Sequence, residues 1–294
     1  MSYQIVIDSA CDLSEKQVRE LKVIRLPLTV NFPGGKNLPD GFSEMSAKEF
    51  FDGMRSGTVS TTSQVNTNAF YEAFKDILDG GDDVFYMSLS SGLSGTFQGS
   101  VLARNMLLDE DPSLENRITL LDTKAVSLGY GLLVLEACRK RDEGLDVNAL
   151  NKHLEGLLMN VNHWFTVEDL VYLKRGGRVS AMKATMGTLL NIKPVLRVDP
   201  EGKLVSHGKA KGRKKSLQHL FDKFKENYDP SLGKDFLISH GDSLDDAHVL
   251  RDMIMSEFDM NEPVIEDTGM VVGSHSGPGT IALFFLGNPR EADH

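Results

Sequence analysis

The chain has 294 residues, 40% hydrophobic and 25% charged, a globular composition that excludes collagen-like, disordered and disulfide-stapled classes. Its length predicts two domains, because single cores seldom grow toward about 300 residues. A formal net charge of −10 argues against general affinity for nucleic acid or anionic membranes. No apolar run is long enough for a transmembrane helix, no secretory leader is visible, and Cys11 and Cys138 have no metal-like spacing. We therefore expect a cytoplasmic protein with reduced thiols.

The first half of the chain alternates between strand and helix patterns. A β-rich run at 4–7 precedes a helix at 14–21, where Ser14 and Gln17 form a capping box. The other predicted elements of this half are a loop at 32–43, helices at 69–78, 96–108 and 129–140, and strands at 84–89 and 118–121. Such alternation over short connections is typical of parallel strands covered by helices. It predicts an α/β domain over 1–160, a doubly wound parallel sheet in three layers.

The pattern changes after a predicted helix at 147–161. Strands become more amphipathic, as at 203–207, and helices carry apolar residues on one stripe only. The other predicted elements are helices at 216–228 and 244–258, and strands at 236–239, 270–273 and 281–285. This arrangement predicts an α+β domain over 161–294.

The serine-rich segment Ser90–Thr96 follows a predicted strand and leads into a helix. Ligands of open α/β sheets bind beyond the carboxyl ends of strands. Gly92 and Gly95 permit a tight turn there, while Ser94 and the free N–H groups of the next helix favour an anion. The segment matches neither a Walker A loop, nor a dinucleotide fingerprint, nor a nucleophile elbow. A plain turn with hydroxyl caps is the alternative.

Two more segments could contribute to a site. Thr62 and Ser63 belong to a hydroxyl cluster before the helix at 69–78, where helix capping is the alternative role. His275 lies between small residues in the segment 273–279, which predicts a rigid, accessible loop that presents a donor or a base. A structural turn histidine is the competing interpretation.

These segments are compatible with two kinds of site. One is an anion pocket in which Thr62, Ser94, backbone amides and His275 donate hydrogen bonds. The other is a serine hydrolase with Ser94 as nucleophile, His275 as base and Asp12 or Asp122 as the orienting acid. An anion pocket of uncharged donors suits a ligand with one carboxylate and a large apolar remainder, because no buried cation has to be desolvated.

Three charged segments have structural explanations beside functional ones. The basic stretch Lys203–Lys215 indicates either a docking patch for a negatively charged partner or a solvated helix start. The arginines of Leu173–Arg178 could clamp an anion or pair with acidic residues. The segment His240–His248 resembles a metal cluster, but helix capping by Ser243 explains it more simply, so we expect no metal.

In their order along the chain, these segments resemble the DegV family, bacterial proteins that include the fatty-acid-binding subunit (FakB) of fatty acid kinase. The resemblance extends from about Ile5 to Leu286. It rests on the motifs Asp8-Ser9 with Asp12-Leu13, Thr61–Gln64, Ser90–Thr96, Asp122-Thr123, Leu173–Ser180, Leu190–Pro194, Gly212–Lys215 and His275–Gly279. Each motif alone is weak, whereas the ordered set is specific.

The resemblance implies a binding protein without a cofactor or a reaction of its own. In the family, a long-chain fatty acid lies in a tunnel between the domains, and a separate ATP-dependent kinase phosphorylates its carboxylate to supply acyl phosphate for phospholipid synthesis. The motifs assign carboxylate binding to Thr62, Ser63, Ser94, Gly95 and His275. They assign kinase docking to Arg175 or Arg213. Residues 182–190 and 281–286 are candidate tunnel walls, although ordinary core packing also explains them.

Overall fold

The computed structural model describes residues 2–179 and 191–291. The strands in these ranges are β1 Tyr3–Asp8, β2 Ile24–Leu26, β3 Thr29–Asn31, β4 Asn37–Pro39, β5 Thr61–Ser63, β6 Asp83–Ser88, β7 Ile118–Asp122, β8 Val161–Thr166, β9 Ile192–Val198, β10 Leu204–Lys211, β11 Phe236–His240, β12 Val264–Asp267 and β13 Ile281–Leu286. The helices are α1 Glu15–Glu20, α2 Ala47–Arg55, α3 Thr67–Asp79, α4 Thr96–Glu110, α5 Leu128–Asp142, α6 Val147–Leu157, α7 Val171–Gly176, α8 Arg213–Asn227, α9 Leu244–Glu257 and α10 Met270–Ser276. No helix in the described ranges is both long and apolar enough to cross a membrane.

The first large sheet is parallel, with strand order β2-β1-β6-β7. All residues of β6 are buried, as expected for a central strand that helices cover on both faces. Helix α3 packs on β6, while α4 and α6 pack on β7. The predicted α/β class with a parallel sheet is confirmed.

The second large sheet is mixed, with strand order β10-β9-β8-β13-β11-β12. Its side chains alternate between two faces, as the period of two in a strand requires. One face, which includes Trp164 and Phe285, forms a core with α8 and α9. The other face, which includes Phe165 and Phe284, belongs to the core shared with the parallel sheet, and α5 packs against this sheet.

The strands of the two large sheets divide along the chain near the expected boundary. Those of the parallel sheet end by Asp122, and those of the mixed sheet begin at Val161. One hydrophobic cluster nevertheless contains residues from both halves, from Ile5 to Phe284. The division into domains 1–160 and 161–294 therefore stays a prediction.

Several predicted elements need correction. The strand at 270–273 is wrong, because Met270–Ser276 is helical and the buried Asp40 accepts a hydrogen bond from the N–H of Val271. The predicted loop 32–43 contains β4, which pairs with β3. The helix predicted to reach Val161 ends at Leu157, since Val161 already pairs with Leu286 in the mixed sheet. In each case a tertiary partner outweighs the local pattern. The local capping box of Ser14 and Gln17 is present, as predicted.

Candidate functional site

A mostly apolar cavity of about 1050 Å³ lies between the mixed sheet and the loops that follow β6 and β7. Its floor is the inner face of the mixed sheet, with Phe165, Ala282 and Phe284. Leu89 and Val126 line it from the two loops. This is the carboxyl edge of the parallel sheet, where open α/β sheets bind ligands.

Thr62 and His275 meet at one end of this cavity, which we call the head. Thr62 Oγ1 lies 2.9 Å from His275 Nε2, although the residues are 213 positions apart. Pairing of β5 with β3 positions Thr62, whereas His275 lies in the last turn of α10. His275 is therefore part-buried on a helix, and the prediction of an accessible loop is wrong.

The environment of His275 keeps its imidazole neutral at pH 7. Burial, followed by the positive charge of Arg178, lowers the pKa of His275 to about 4. Its Nδ1 is buried and has no hydrogen-bond partner among the described residues. Gly176 allows this close packing, because a Cβ there would lie 2.0 Å from His275 Nδ1.

The serine-rich loop brings Ser94 and Gly95 to the same head. Ser94 Oγ lies 2.9 Å from Thr96 Oγ1 and accepts a hydrogen bond from the Thr96 N–H at 3.2 Å. The base of the loop is fixed because the buried carboxylate of Asp8 accepts from the Leu89 N–H at 2.9 Å. Gly95 permits close approach of Gln64, whose Oε1 would lie 2.3 Å from an added Cβ.

Two of the head residues differ in character from the prediction. Ser63 lines the cavity, but its side chain is exposed and its Oγ accepts a hydrogen bond from Asn31 Nδ2 at 2.9 Å. Arg178 also lines the cavity, and its Nε donates to the Leu93 carbonyl at 3.3 Å. A guanidinium therefore lies beside the predicted uncharged donors, and the hypothesis that uncharged donors alone bind the anion stays a prediction.

Comparison with known proteins identifies the family. The model of the family described as "Uncharacterised protein, DegV family" matches residues 2–288. The chain belongs to the DegV family. This confirms the resemblance drawn from the ordered motifs.

A DegV domain-containing protein of Clostridium perfringens is 38% identical over 289 residues, which are 98% of this chain and 99% of that relative. A DegV family protein from Thermus thermophilus, described as binding fatty acid, superposes with a TM-score of 0.86 at 32% identity, over 98% of this chain and 100% of that one. DegV from Bacillus subtilis, described as a fatty acid binding protein, superposes with a TM-score of 0.83 at 25% identity, over 98% and 100% of the two chains.

The hydrogen bonds of this DegV protein do not form the alternative hydrolase triad. His275 Nε2 is paired with Thr62, and Ser94 with Thr96. Asp12 accepts from Ser127, while Asp122 accepts from the N–H of Ser91. Within the described ranges, neither acid reaches His275 Nδ1, so the hydrogen bonds of the predicted triad are not formed.

A second pocket of about 560 Å³ adjoins the head from outside. Thr62, Arg178 and His275 line both spaces. The second pocket also contains Arg175, which is exposed and stacks on Tyr172 with its guanidinium 6.0 Å from the ring centre. The head residues can therefore be approached from two sides.

The second candidate docking residue, Arg213, is part-buried and is held by acidic side chains of this chain. Its Nη2 lies 3.2 Å from Glu168, its Nε lies 3.1 Å from Asp246, and it donates to the Gly279 carbonyl. Arg213 therefore ties α8 to the segment after α10 and exposes little of its charge. Docking stays a prediction for both arginines, and Arg175 is the more accessible.

The remaining candidate segments can be placed briefly. Ser243 occupies the cap position of α9 but makes no capping hydrogen bond with its side chain, and His240 Nδ1 lies 3.2 Å from Asp267. Across 2–179 and 191–291, no cluster of three or more metal-ligating side chains is present. Of the two candidate tunnel walls, 281–286 contributes Ala282 and Phe284 to the cavity, and 182–190 lies outside the described residues.

Proposed function

We propose that this DegV protein binds one long-chain fatty acid, with its carboxylate at the head and its alkyl chain in the cavity. The carrying observation is a mostly apolar cavity to which Thr62, Ser94 and His275 contribute polar groups. Such a distribution suits a ligand with one polar end. The fatty acid binding described for the Thermus thermophilus and Bacillus subtilis relatives supports the proposal.

The head offers suitable chemistry for a carboxylate. Thr62 and Ser94 have hydroxyl donors there, and a ligand oxygen that reaches Thr62 also meets His275, 2.9 Å away. Arg178 adds a positive charge, and within the described residues its guanidinium donates to the backbone carbonyls of Leu93 and Gly176 rather than to an acidic side chain. Hydrogen bonds to an ionised ligand are stronger than those between neutral groups. We assign carboxylate binding to Ser63 and Gly95 as well, because both residues line the cavity.

We further propose that the protein is a non-catalytic carrier that acts in the cytoplasm and needs no cofactor. A separate ATP-dependent kinase would transfer the terminal phosphoryl group of ATP to a carboxylate oxygen, giving ADP and an acyl phosphate for phospholipid synthesis. The second pocket supports this route, because it shares Thr62, Arg178 and His275 with the cavity and reaches the exposed Arg175. It would admit a phosphoryl donor while the alkyl chain stays covered.

Analysis of the bound lipid tests the binding proposal directly. Organic extracts of the native purified protein should contain a long-chain monocarboxylic acid in a ratio near one per chain, measured by mass spectrometry. Delipidated protein should take up added fatty acid to the same ratio. An extract without fatty acid, together with no uptake, would contradict the proposal.

Ser94→Ala tests the assignment of the head. The variant loses a hydrogen bond to a charged ligand group, which should weaken fatty acid affinity by on the order of 1.5–3 kcal/mol. Displacement of a fluorescent fatty acid measures the difference. Ser91→Ala is the matched control, because Ser91 lies in the same loop but is exposed. Its Oγ accepts a hydrogen bond from Lys124 Nζ outside the cavity. Equal affinity of the two variants would remove Ser94 from the site.

A further inference from the structure

The cavity has a second group of polar side chains, distinct from the head. Ser127, Ser239 and Thr268 all line the cavity. They are 4%, 1% and 1% exposed, so they are shielded from bulk solvent. We call these three residues the deep polar patch.

The deep polar patch interrupts an apolar wall. Ser239 on β11 is the direct partner of Ala282 on β13, and Ala282 is the partner of Phe165 on β8. Thr268 lies two residues after Glu266, the partner of Ser239 on β12, which places it on the same side of the sheet. Hydroxyl groups therefore stand at one edge of a floor whose other side chains are mostly apolar, apart from the imidazole of His163 on β8.

The patch is separated from the head by the length of α10. Thr268 precedes this helix, and His275 lies in its last turn, seven positions later in the chain. From Met270 to His275, a rise of 1.5 Å per residue corresponds to about 7.5 Å, and Thr268 lies two residues before the helix begins. Val271 and Val272 line the cavity between them. A ligand held by its carboxylate at the head would therefore meet the patch part-way along its alkyl chain.

Hydrogen bonds of the patch leave bonding capacity on the cavity side. Ser127 Oγ donates to the buried Asp12 carboxylate at 2.5 Å and lies 3.1 Å from Ser239 Oγ. Ser239 can thus donate to Ser127 and still accept from the cavity. Thr268 Oγ1 is buried without a hydrogen-bond partner in the part of the chain that the structure describes. Buried hydroxyl groups are normally paired, and an unpaired one is costly.

The conformation of Ser127 is also unusual. Its backbone has φ 55° and ψ −149°, a combination that favours glycine. Its carbonyl and N–H lie at the start of α5, where the N–H donates to the Ala10 carbonyl at 2.8 Å. A serine kept in this conformation holds a hydroxyl between Asp12 and Ser239.

We propose that the preferred ligand is a fatty acid with a hydroxyl group part-way along its chain, which donates to Ser239 and accepts from Thr268. A hydroxyl both donates and accepts, as this pair requires, whereas a ketone only accepts and an unsubstituted chain does neither. If Asp12 is protonated, the hydrogen bonds from Asp12 through Ser127 to Ser239 reverse their direction. Ser239 then donates to the ligand hydroxyl, which can in turn donate to Thr268. The inference rests on the proposed fatty acid binding and adds a preference for acids with a hydroxyl group part-way along the chain.

A positional series of ligands tests this inference. Delipidated protein is titrated with octadecanoic acid and with its monohydroxy derivatives, each carrying the hydroxyl at a different carbon. At a mid-chain position, the hydroxy acid should bind about tenfold more tightly than octadecanoic acid. The 2-hydroxy acid should show no such preference, because its hydroxyl stays at the head. Thr268→Val should bring the mid-chain affinity ratio close to one.

Thr280→Val is the matched control. Thr280 also lines the cavity and is buried, but its hydroxyl already donates to the Gly277 carbonyl at 2.8 Å. This variant should keep the preference for the mid-chain hydroxy acid. If Thr268→Val does not fold, the ligand series on the natural sequence still decides the question.

The outcomes separate the two proposals. If octadecanoic acid binds but no hydroxy acid binds more tightly, the hydroxyl inference is wrong and fatty acid binding stands. If a preference exists and Thr268→Val retains it, the deep polar patch is not its source and the inference is also wrong. If neither kind of acid binds, both proposals fail.

Discussion

The head of the cavity and its floor are built in opposite ways. Thr62, Ser94 and His275 come from a short strand, a loop and a seven-residue helix, and all three are part-buried. Phe165 and Phe284 come from adjacent long strands and are buried. The polar side chains of the head thus come from separate elements and are only partly packed. The floor is a continuous, closely packed sheet that tolerates little change in side-chain volume. Substitutions in the floor should therefore lower the free energy of unfolding more than substitutions at the head.

Adding one methyl group in each region tests this difference most strongly. A Cβ at Gly129 would lie 2.2 Å from His163 Nε2 and 2.8 Å from the Phe284 ring, both in the buried floor. Gly129→Ala should lower the free energy of unfolding by about 3 kcal/mol, because the rings cannot move without disturbing the sheet. Urea denaturation measures this loss.

Gly95→Ala is the corresponding change at the head. Its added Cβ would lie 2.3 Å from Gln64 Oε1, but Gln64 is exposed and its amide can swing away. The free energy of unfolding should change by less than about 0.5 kcal/mol. Similar losses for both glycine variants would show that head and floor are equally rigid.

A smaller effect is expected from the ionisation of His275. Its folded pKa of about 4 lies below the unfolded value of about 6.5, so the unfolded chain takes up a proton first as the pH falls. The stabilising contribution of neutral His275 is complete above pH 6.5 and is lost between about 6.5 and 4. Relative to His275→Gln, the natural protein should lose about 2.5 kcal/mol of stability in this window.

Urea denaturation at pH 7.5 and 4.5 measures this difference for both chains. Parallel losses of stability in the natural protein and the variant would mean that His275 is solvated, and that the head is more open than the structure indicates.

The smallest effect on the protein itself is expected at its outer surface. Arg175→Glu should leave the free energy of unfolding within about 0.5 kcal/mol, because Arg175 is exposed. It should nevertheless reduce capture of a fatty acid kinase in a pull-down assay, since the charge bordering the second pocket is reversed. Lys174→Glu, on the same helix but outside the pocket, is the control. Equal capture of both variants would remove Arg175 from the docking surface.

Local signals predicted much of the fold. The capping box of Ser14 and Gln17 acts over three residues, so the sequence contains all of its parts. The Met-Val-Val run at 270–272 has strand character, yet Asp40 and the packing around Gly269 hold it as the start of α10. Strand propensity is a weak preference that such tertiary contacts override.

The candidate site also contains residues that the sequence predicted and others that only the structure revealed. The ordered motifs predicted Thr62, Ser94 and His275 as one group, and the cavity brings them together. The sequence does not decide whether Arg178 clamps an anion or pairs with an acidic residue. Its position at the head depends on a contact with Leu93, 85 residues away in the chain. The deep polar patch had no motif at all, since isolated serines and threonines occur on many strand ends.

By itself, the sequence determined the α/β class, the DegV family and the polar residues of the head, because capping, alternation and motif order are encoded by neighbouring residues. Only the tertiary structure decided the neutral, part-buried state of His275, the guanidinium beside it and the Thr268 hydroxyl that has no partner within 2–179 and 191–291. These properties depend on which distant side chains remove water from a group and which of its hydrogen bonds they leave unmade.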